Sequence, residues 1–237
     1  MTSPSFVFFL VSPVDYTLYI HISQEKYPIN NRFLLYTKTL RNICKYATLC
    51  VLDESGENMN IWHNVSPDRI NPDDYLGVIE ISEGSKMKYE LDKETGALIL
   101  DRVLYTSTIY PANYGFIPRT FADDSDPLDI LVLCSERIQP MAIVRCYPIG
   151  AIIMTDGEQA DEKIISLPFN DPRYNCYHDI SELPHHVFEE MTHFFTVYKK
   201  LEHKETVVSE VVGRHEAVSI VKKSMDRYSS RFGQYGY

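Results

Sequence analysis

The segment Asp124-Ser125-Asp126-Pro127-Leu128-Asp129 sets three carboxylates within six residues, and Asp156-Gly157-Glu158-Gln159-Ala160-Asp161 adds two more aspartates just ahead of Lys163. Five aspartates brought to one space would repel one another unless cations neutralised them. Mg²⁺ is a hard cation that takes oxygen ligands, keeps several waters and shares its shell with phosphate oxygens. The pattern therefore suggests a phosphate-handling metal site. Read in isolation, Asp124 to Asp126 ahead of a proline is more often an Asp-rich turn than a metal site, because Asp accepts from nearby backbone N–H groups and tolerates turn conformations. An EF-hand loop fails on inspection. Counting from Asp124, the required Gly at the sixth position is Asp129, the closing Glu at the twelfth is Ser135, and Pro127 stands fourth.

Context lifts the cluster above a turn. Upstream run Lys86-Met87-Lys88-Tyr89-Glu90-Leu91-Asp92-Lys93-Glu94-Thr95-Gly96 and then Asp101-Arg102-Val103-Leu104-Tyr105-Thr106-Ser107-Thr108-Ile109-Tyr110-Pro111-Ala112-Asn113-Tyr114-Gly115-Phe116-Ile117-Pro118. With the Asp-x-Asp-Pro-x-Asp run these segments, in this order, resemble the soluble family I inorganic pyrophosphatases from about Trp62 to Tyr228. The resemblance implies hydrolysis of pyrophosphate to two orthophosphates with several Mg²⁺ ions per site. It implies metal-binding carboxylates at Asp124, Asp129, Asp156 and Asp161, and a general base for the attacking water at Asp126. Lys88, Arg102, Tyr114, Lys163, Tyr198 and Lys199 match substrate-contacting positions, and Glu80, Glu90 and Tyr110 match supporting ones. Ser125 stands in a slot that is often Gly in the family, and Gly157 follows Asp156 where some members carry an acidic residue.

The chemistry is consistent with those residue types. Water attacks pyrophosphate slowly because its negative oxygens repel the nucleophile, so a catalyst needs metals on carboxylates along one wall and phosphate donors along the other. Arg offers a planar donor fork, Lys a point charge and Tyr a neutral donor. Taken singly, each is as readily a surface charge or a packed aromatic; Tyr198 also completes a helix face.

The chain has 237 residues and is 44% hydrophobic, enough for one sizeable core and a small appendage. Its formal net charge is −10, and residues 1–57 are neutral overall, with five basic and five acidic side chains, so the excess acid lies in 58–237. An acidic domain without basic clusters opposes nucleic-acid binding, including an OB-type binder that could use the 17 tyrosines for stacking. Acid gathered at a cleft suits cations instead. Cys44, Cys50, Cys134, Cys146 and Cys176 form no Cys-x-x-Cys pair, and the histidines show no zinc spacing. Free thiols predict a reducing cytoplasm. No apolar stretch approaches the roughly 20 residues of a membrane span, and Phe6 to Val11 lacks the basic lead of a secretory signal.

Residues 1–57 contain one glycine and no motif of the family, and read as an N-terminal extension with possible strands at Tyr16 to Ile20 and Phe33 to Tyr36. A polar junction follows at Asp53 to Asn58, and 58–237 reads as the pyrophosphatase domain. Strands are predicted at Val78 to Ile81, Lys88 to Leu91 and Ala97 to Leu100, the last two joined by a turn at Lys93 to Gly96. The long apolar stretches Asp129 to Cys134 and Met141 to Met154 read as central strands broken or bent at Pro140 and Pro148. Phe188, Met191, Phe195 and Tyr198 share one helical face after Pro184, and Val218, Val221, Met225 and Tyr228 repeat the spacing. Strands followed by helices predict an α+β, mainly β chain; the resemblance specifies an OB-like five-stranded β-barrel with flanking C-terminal helices. It also implies a homo-oligomer, with a hexamer favoured by the length of 58–237. The competing reading is a non-catalytic metal- or phosphate-binding module descended from the enzyme.

Overall fold

The computed structural model describes residues 60–233 in full, and the backbone of Val7–Val11 and Leu18–Ile22. The chain divides into two units, Met1–Leu49 and Cys50–Tyr237. In the first, β1 (Val7–Val11) pairs antiparallel with β2 (Leu18–Ile22), Val7 lying opposite Ile22. The strand expected at Tyr16 to Ile20 is thus shifted by two residues. The expectations at Phe33 to Tyr36 and at the Asp53 to Asn58 junction lie outside the described residues.

Among the described residues, the second unit begins with the short helix α1 (Ile61–Asn64), capped by the Asn60 side chain. Then come β3 (Tyr75–Ile81), the hairpin β4 (Met87–Leu91) and β5 (Leu98–Val103), β6 (Asn113–Phe116), β7 (Asp129–Val132), β8 (Ile143–Asp156), β9 (Gln159–Ala160) and β10 (Lys163–Pro168). Helix α2 (His185–Val197), β11 (Thr206–Gly213) and helix α3 (Arg214–Phe232) complete it.

Five of these strands close a ring. β3 pairs antiparallel with β6, β6 with β7, β7 parallel with β10, β10 antiparallel with β8, and β8 antiparallel with β3. Numbered along the chain the ring runs 1-2-3-5-4, with the parallel pair between the third and fifth strands, which is the OB arrangement. Closure leaves the ring without an open edge. β11 adds to the far half of β8, which is long enough at 14 residues to serve several partners in turn. Tyr147-Pro148 lies within the continuous strand β8, at the proline where a bend was expected. The register against β10 shifts between Ile165 and Ser166, opposite Pro148 to Gly150, so the missing N–H is absorbed by a bulge inside a continuous strand.

Successive residues of a strand face opposite sides, and here both sides are covered. In β7, Ile130 and Val132 join a cluster that includes Ala217 and Val221 of α3, whereas Leu131 joins one that includes Met191, Phe194 and Phe195 of α2. Helix α2 buries Met191 and Phe195 as predicted, with Phe188 packed at the margin. In α3 the buried face is centred on Ala217, Ile220, Val221, Ser224 and Tyr228, while Val218 and Met225 are only half buried. β10 and β11 were not anticipated from the sequence. At Gly115 the backbone of β6 passes so close to β3 that a Cβ would stand 1.9 Å from the Val78 carbonyl oxygen, which excludes any side chain there.

Candidate active site

Two bulges aim the first residues of the site. Val78 and Ile79 of β3 pair with Phe116 and Gly115, then Ile81 pairs with Tyr114, leaving Glu80 as the unmatched residue. Its carboxylate accepts the Leu91 N–H at 2.7 Å and is buried. In the hairpin, Lys88 lies directly opposite Arg102 and Tyr89 opposite Leu100, so Asp101 is the extra residue. Directly opposed residues share a face, and two cations there would repel. Carboxylates offset this: Lys88 pairs with Glu90 and lies 3.6 Å from Asp101, while Arg102 pairs with Asp101 and donates Nε to Glu202 at 3.0 Å. Nη2 of Arg102 is buried and meets no partner among the described residues. An unsatisfied buried donor costs about 1–3 kcal/mol, which an anion oxygen would recover.

The aspartate turn has its own local logic. Ala122 N–H donates to the Asp126 carbonyl at 2.8 Å, Ser125 N–H to the Ala122 carbonyl at 3.2 Å, and Asp126 N–H to the Asp124 carboxylate at 3.0 Å. Ser125 has φ of 71°, in the left-handed region where glycine is free and other residues are strained. Backbone geometry thus explains why this slot suits Gly. Lys93, in the β4–β5 turn, pairs with the Asp126 carboxylate; both side chains are about half exposed, so the pair is weak.

The opposite wall is drier. Asp129 opens β7 and Lys163 opens β10 at the same level of the parallel ladder. The Lys163 ammonium, 2% exposed, lies 2.7 Å from both Asp129 and Asp161 and 3.4 Å from the Tyr114 hydroxyl, which also donates to Asp129. Burial works against that ammonium, yet Asp129 and Asp161 more than offset it and hold its pKa well above the ordinary lysine value. Asp156, ending β8, pairs with Lys199. Tyr198 and Lys199 follow directly on α2, and the Tyr198 ring packs 5.2 Å from Phe194. A turn spanning Lys200–Glu202 then brings Glu202 to Arg102.

All these groups surround one cleft of about 500 Å³. It is lined by Asp124, Asp126, Asp129, Asp156 and Asp161, by Lys88, Arg102, Tyr114, Lys163, Tyr198 and Lys199, and by Glu80 and Glu90. Of the residues singled out from the sequence, Tyr110 alone stands behind the cleft wall. It is buried, with its ring 5.4 Å from that of Tyr114 and 4.9 Å from that of Phe194, so it supports Tyr114 by packing. Asp101, Lys93, Gln159 and Lys204 also line the cleft and were not anticipated. Asp101 stands beside Arg102 in a motif already quoted and could have been inferred from that adjacency. Glu202 had no local signal, being 100 residues from its partner.

The charge state of the cleft indicates what it would accept. Burial, followed by the nearby Asp129 charge, pushes Glu80 up to about 8 from an ordinary 4.5. Burial, with Asp129, Asp126 and Asp161 adding to it against the opposing Asp126 N–H bond, lifts Asp124 to about 6. Burial likewise raises Asp129, against the pull of Lys163. Carboxyls held above their ordinary range mark an anionic space that a cation would relieve. Among the described residues no three His, Cys, Asp or Glu side chains form a closed cage. Lysines stand between the carboxylates, and spaced oxygen donors of this kind suit a cation that retains waters and substrate oxygens.

Residues 77–229 match the sequence profile of a family described as inorganic pyrophosphatase. The chain belongs to the inorganic pyrophosphatase family. Soluble inorganic pyrophosphatase 2 of Chlamydomonas reinhardtii is 47% identical over 177 residues, spanning 75% of this chain and 92% of that protein. The crystal structure of inorganic pyrophosphatase from Thermus thermophilus superposes with a TM-score of 0.69 at 37% identity, covering 72% of this chain and 99% of that one. Inorganic pyrophosphatase from Helicobacter pylori gives 0.66 at 39% identity, covering 73% and 99%. The OB-like barrel with α2 and α3 against it is thus the pyrophosphatase fold, as the sequence resemblance implied. Among the described residues no helix is long and apolar enough to cross a membrane.

Proposed function

We propose that the cleft hydrolyses inorganic diphosphate to two orthophosphates with Mg²⁺ as its cofactor. Membership of the inorganic pyrophosphatase family supports the reaction. The observation that carries the assignment to this cleft is the meeting of Asp124, Asp126, Asp129, Asp156 and Asp161 with Lys88, Arg102, Tyr114, Lys163, Tyr198 and Lys199 in one space of about 500 Å³. Asp124, Asp129, Asp156 and Asp161 would hold the metal ions. When bound, Mg²⁺ neutralises phosphate oxygens and lowers the pKa of water. Asp126 takes the proton from the attacking water as general base; among the aspartates it stands at the open side of the cleft, paired with Lys93 in the hairpin turn. Arg102 presents a donor fork and Lys88 a point charge from one face of the hairpin. Tyr114, Lys163, Tyr198 and Lys199 bind from the barrel and the end of α2. Glu90 pairs with Lys88, Glu80 anchors the Leu91 N–H beside the cleft, and Tyr110 buttresses Tyr114. A non-catalytic phosphate-binding descendant is not favoured, because every position matched to chemistry is retained.

A homo-oligomer, hexameric by the length of 58–237, and a cytoplasmic location complete the proposal. The free thiols Cys134, Cys146 and Cys176 are consistent with a reducing compartment. The test is phosphate release from pyrophosphate. Turnover should require Mg²⁺ and vanish with a chelator, and Asp126→Asn should lower kcat by about 10²–10⁴-fold. Full turnover in metal-free buffer, or an undiminished Asp126→Asn rate, would refute the mechanism.

A further inference from the structure

We propose that Glu202 is a positioning residue for Arg102, holding the guanidinium across the gap between the α2 turn and the hairpin so that its remaining donors face the phosphate. The inference rests on the reading of the cleft as the pyrophosphate site. Arg102 lies on β5 of a two-stranded hairpin that forms no ladder with the barrel, so its backbone alone does not fix the guanidinium relative to the aspartates. Glu202 comes from a different element, 100 residues away, and its carboxylate accepts Nε at 3.0 Å. Its side chain is only 7% exposed, so it is no solvated surface charge. A carboxylate this dry is stable only when paired, which makes the contact obligatory for Glu202 as well as for Arg102.

The geometry also sorts the donors. Glu202 occupies Nε and Asp101 engages Nη1, leaving Nη2 buried, without a partner among the described residues, and on a residue that lines the cleft. A guanidinium clamped on its Nε edge keeps a fixed plane, and fixed planarity is what distinguishes Arg from Lys in recognising phosphate. Immediately before the turn that carries Glu202 stands Lys199, which pairs with Asp156 at the end of β8. The turn's exit is sharply set by His203, with φ of 56° and its N–H on the Lys200 carbonyl at 3.1 Å. This turn and the residue before it thus hold the hairpin's arginine and a barrel aspartate in a fixed relation.

The test is a double-mutant cycle on the full chain, reading kcat and KM for Mg²⁺-pyrophosphate and the melting temperature of each variant. Glu202→Ala should lower kcat/KM by about 10–100-fold, the scale of a lost charge-assisted hydrogen bond. Glu202→Gln, which keeps an acceptor for Nε, should lose less and serves if the alanine variant does not fold. In an Arg102→Ala background, itself impaired, removing Glu202 should change kcat/KM by less than about twofold, because there is nothing left to position. Additive losses in an impaired Arg102→Ala background would overturn the inference alone and make Glu202 a structural residue. Undiminished kcat/KM in Arg102→Ala would overturn it together with the reading of the site.

Discussion

Lys163→Met offers the sharpest test of how this cleft is held together without metal. The ammonium is 2% exposed and sits 2.7 Å from both Asp129 and Asp161, whose side chains are 21% and 13% exposed. Methionine keeps much of the stem's volume, so the substitution removes chiefly the charge, which also sits 5.4 Å and 5.2 Å from the Tyr114 and Phe195 ring centres. What remains is two mostly buried carboxylates facing each other, with Asp124 and Glu80 nearby and already resisting ionisation. Removing one member of a buried ion-pair network typically costs about 3–5 kcal/mol, because the other charges stay buried and uncompensated. For a unit of this size about 1 kcal/mol moves the melting temperature by about 2–4 °C, so the expected drop is about 6–20 °C. The assay is thermal unfolding of chelator-treated protein at neutral pH, repeated in an Asp129→Asn background, where the drop should shrink. Saturating Mg²⁺ should also narrow it, since a cation among the same carboxylates replaces part of the lost charge. A metal-free Lys163→Met chain melting within about 2 °C of the parent would refute the reasoning, since it would mean that the carboxylates do not depend on the ammonium.

Stability of the metal-free protein should fall as pH rises from about 5 to about 8. In that window native Glu80, pushed up to about 8, and at its lower end Asp124, lifted to about 6, still hold protons that the unfolded chain has released, so ionisation favours unfolding. Urea midpoints at pH 5.5 and 8.5 should show the decline, and Glu80→Gln should flatten it; an unchanged slope in that variant would remove Glu80 as the cause. The 58–237 fragment should fold and hydrolyse pyrophosphate at close to the full-length rate, because every proposed site residue lies between Glu80 and Glu202. An insoluble or inactive fragment would place residues 1–57 within the core.

The chemistry-bearing residues were legible in the sequence because they are short, ordered strings of unusual side chains, and spacing survives without any knowledge of packing. The Lys93 to Gly96 turn and both long helices were legible for the same reason, being defined by local turn residues and by a 3.6-residue period. The ring of strands was not. β3 and β10 are buried along their whole length, so their apolar residues fall on both faces and leave no alternation to show which side faces which partner. The bulges at Glu80 and Asp101 were equally invisible, since a register shift is a property of two paired strands and not of either one. Sequence alone therefore determined which candidate groups this protein carries and in what order they occur. Tertiary structure alone decided that Lys163 stands between Asp129 and Asp161, that Tyr110 lies behind the wall, and that Glu202 meets Arg102. Those contacts join residues far apart in the chain, and their energies depend on burial, which no local spacing records.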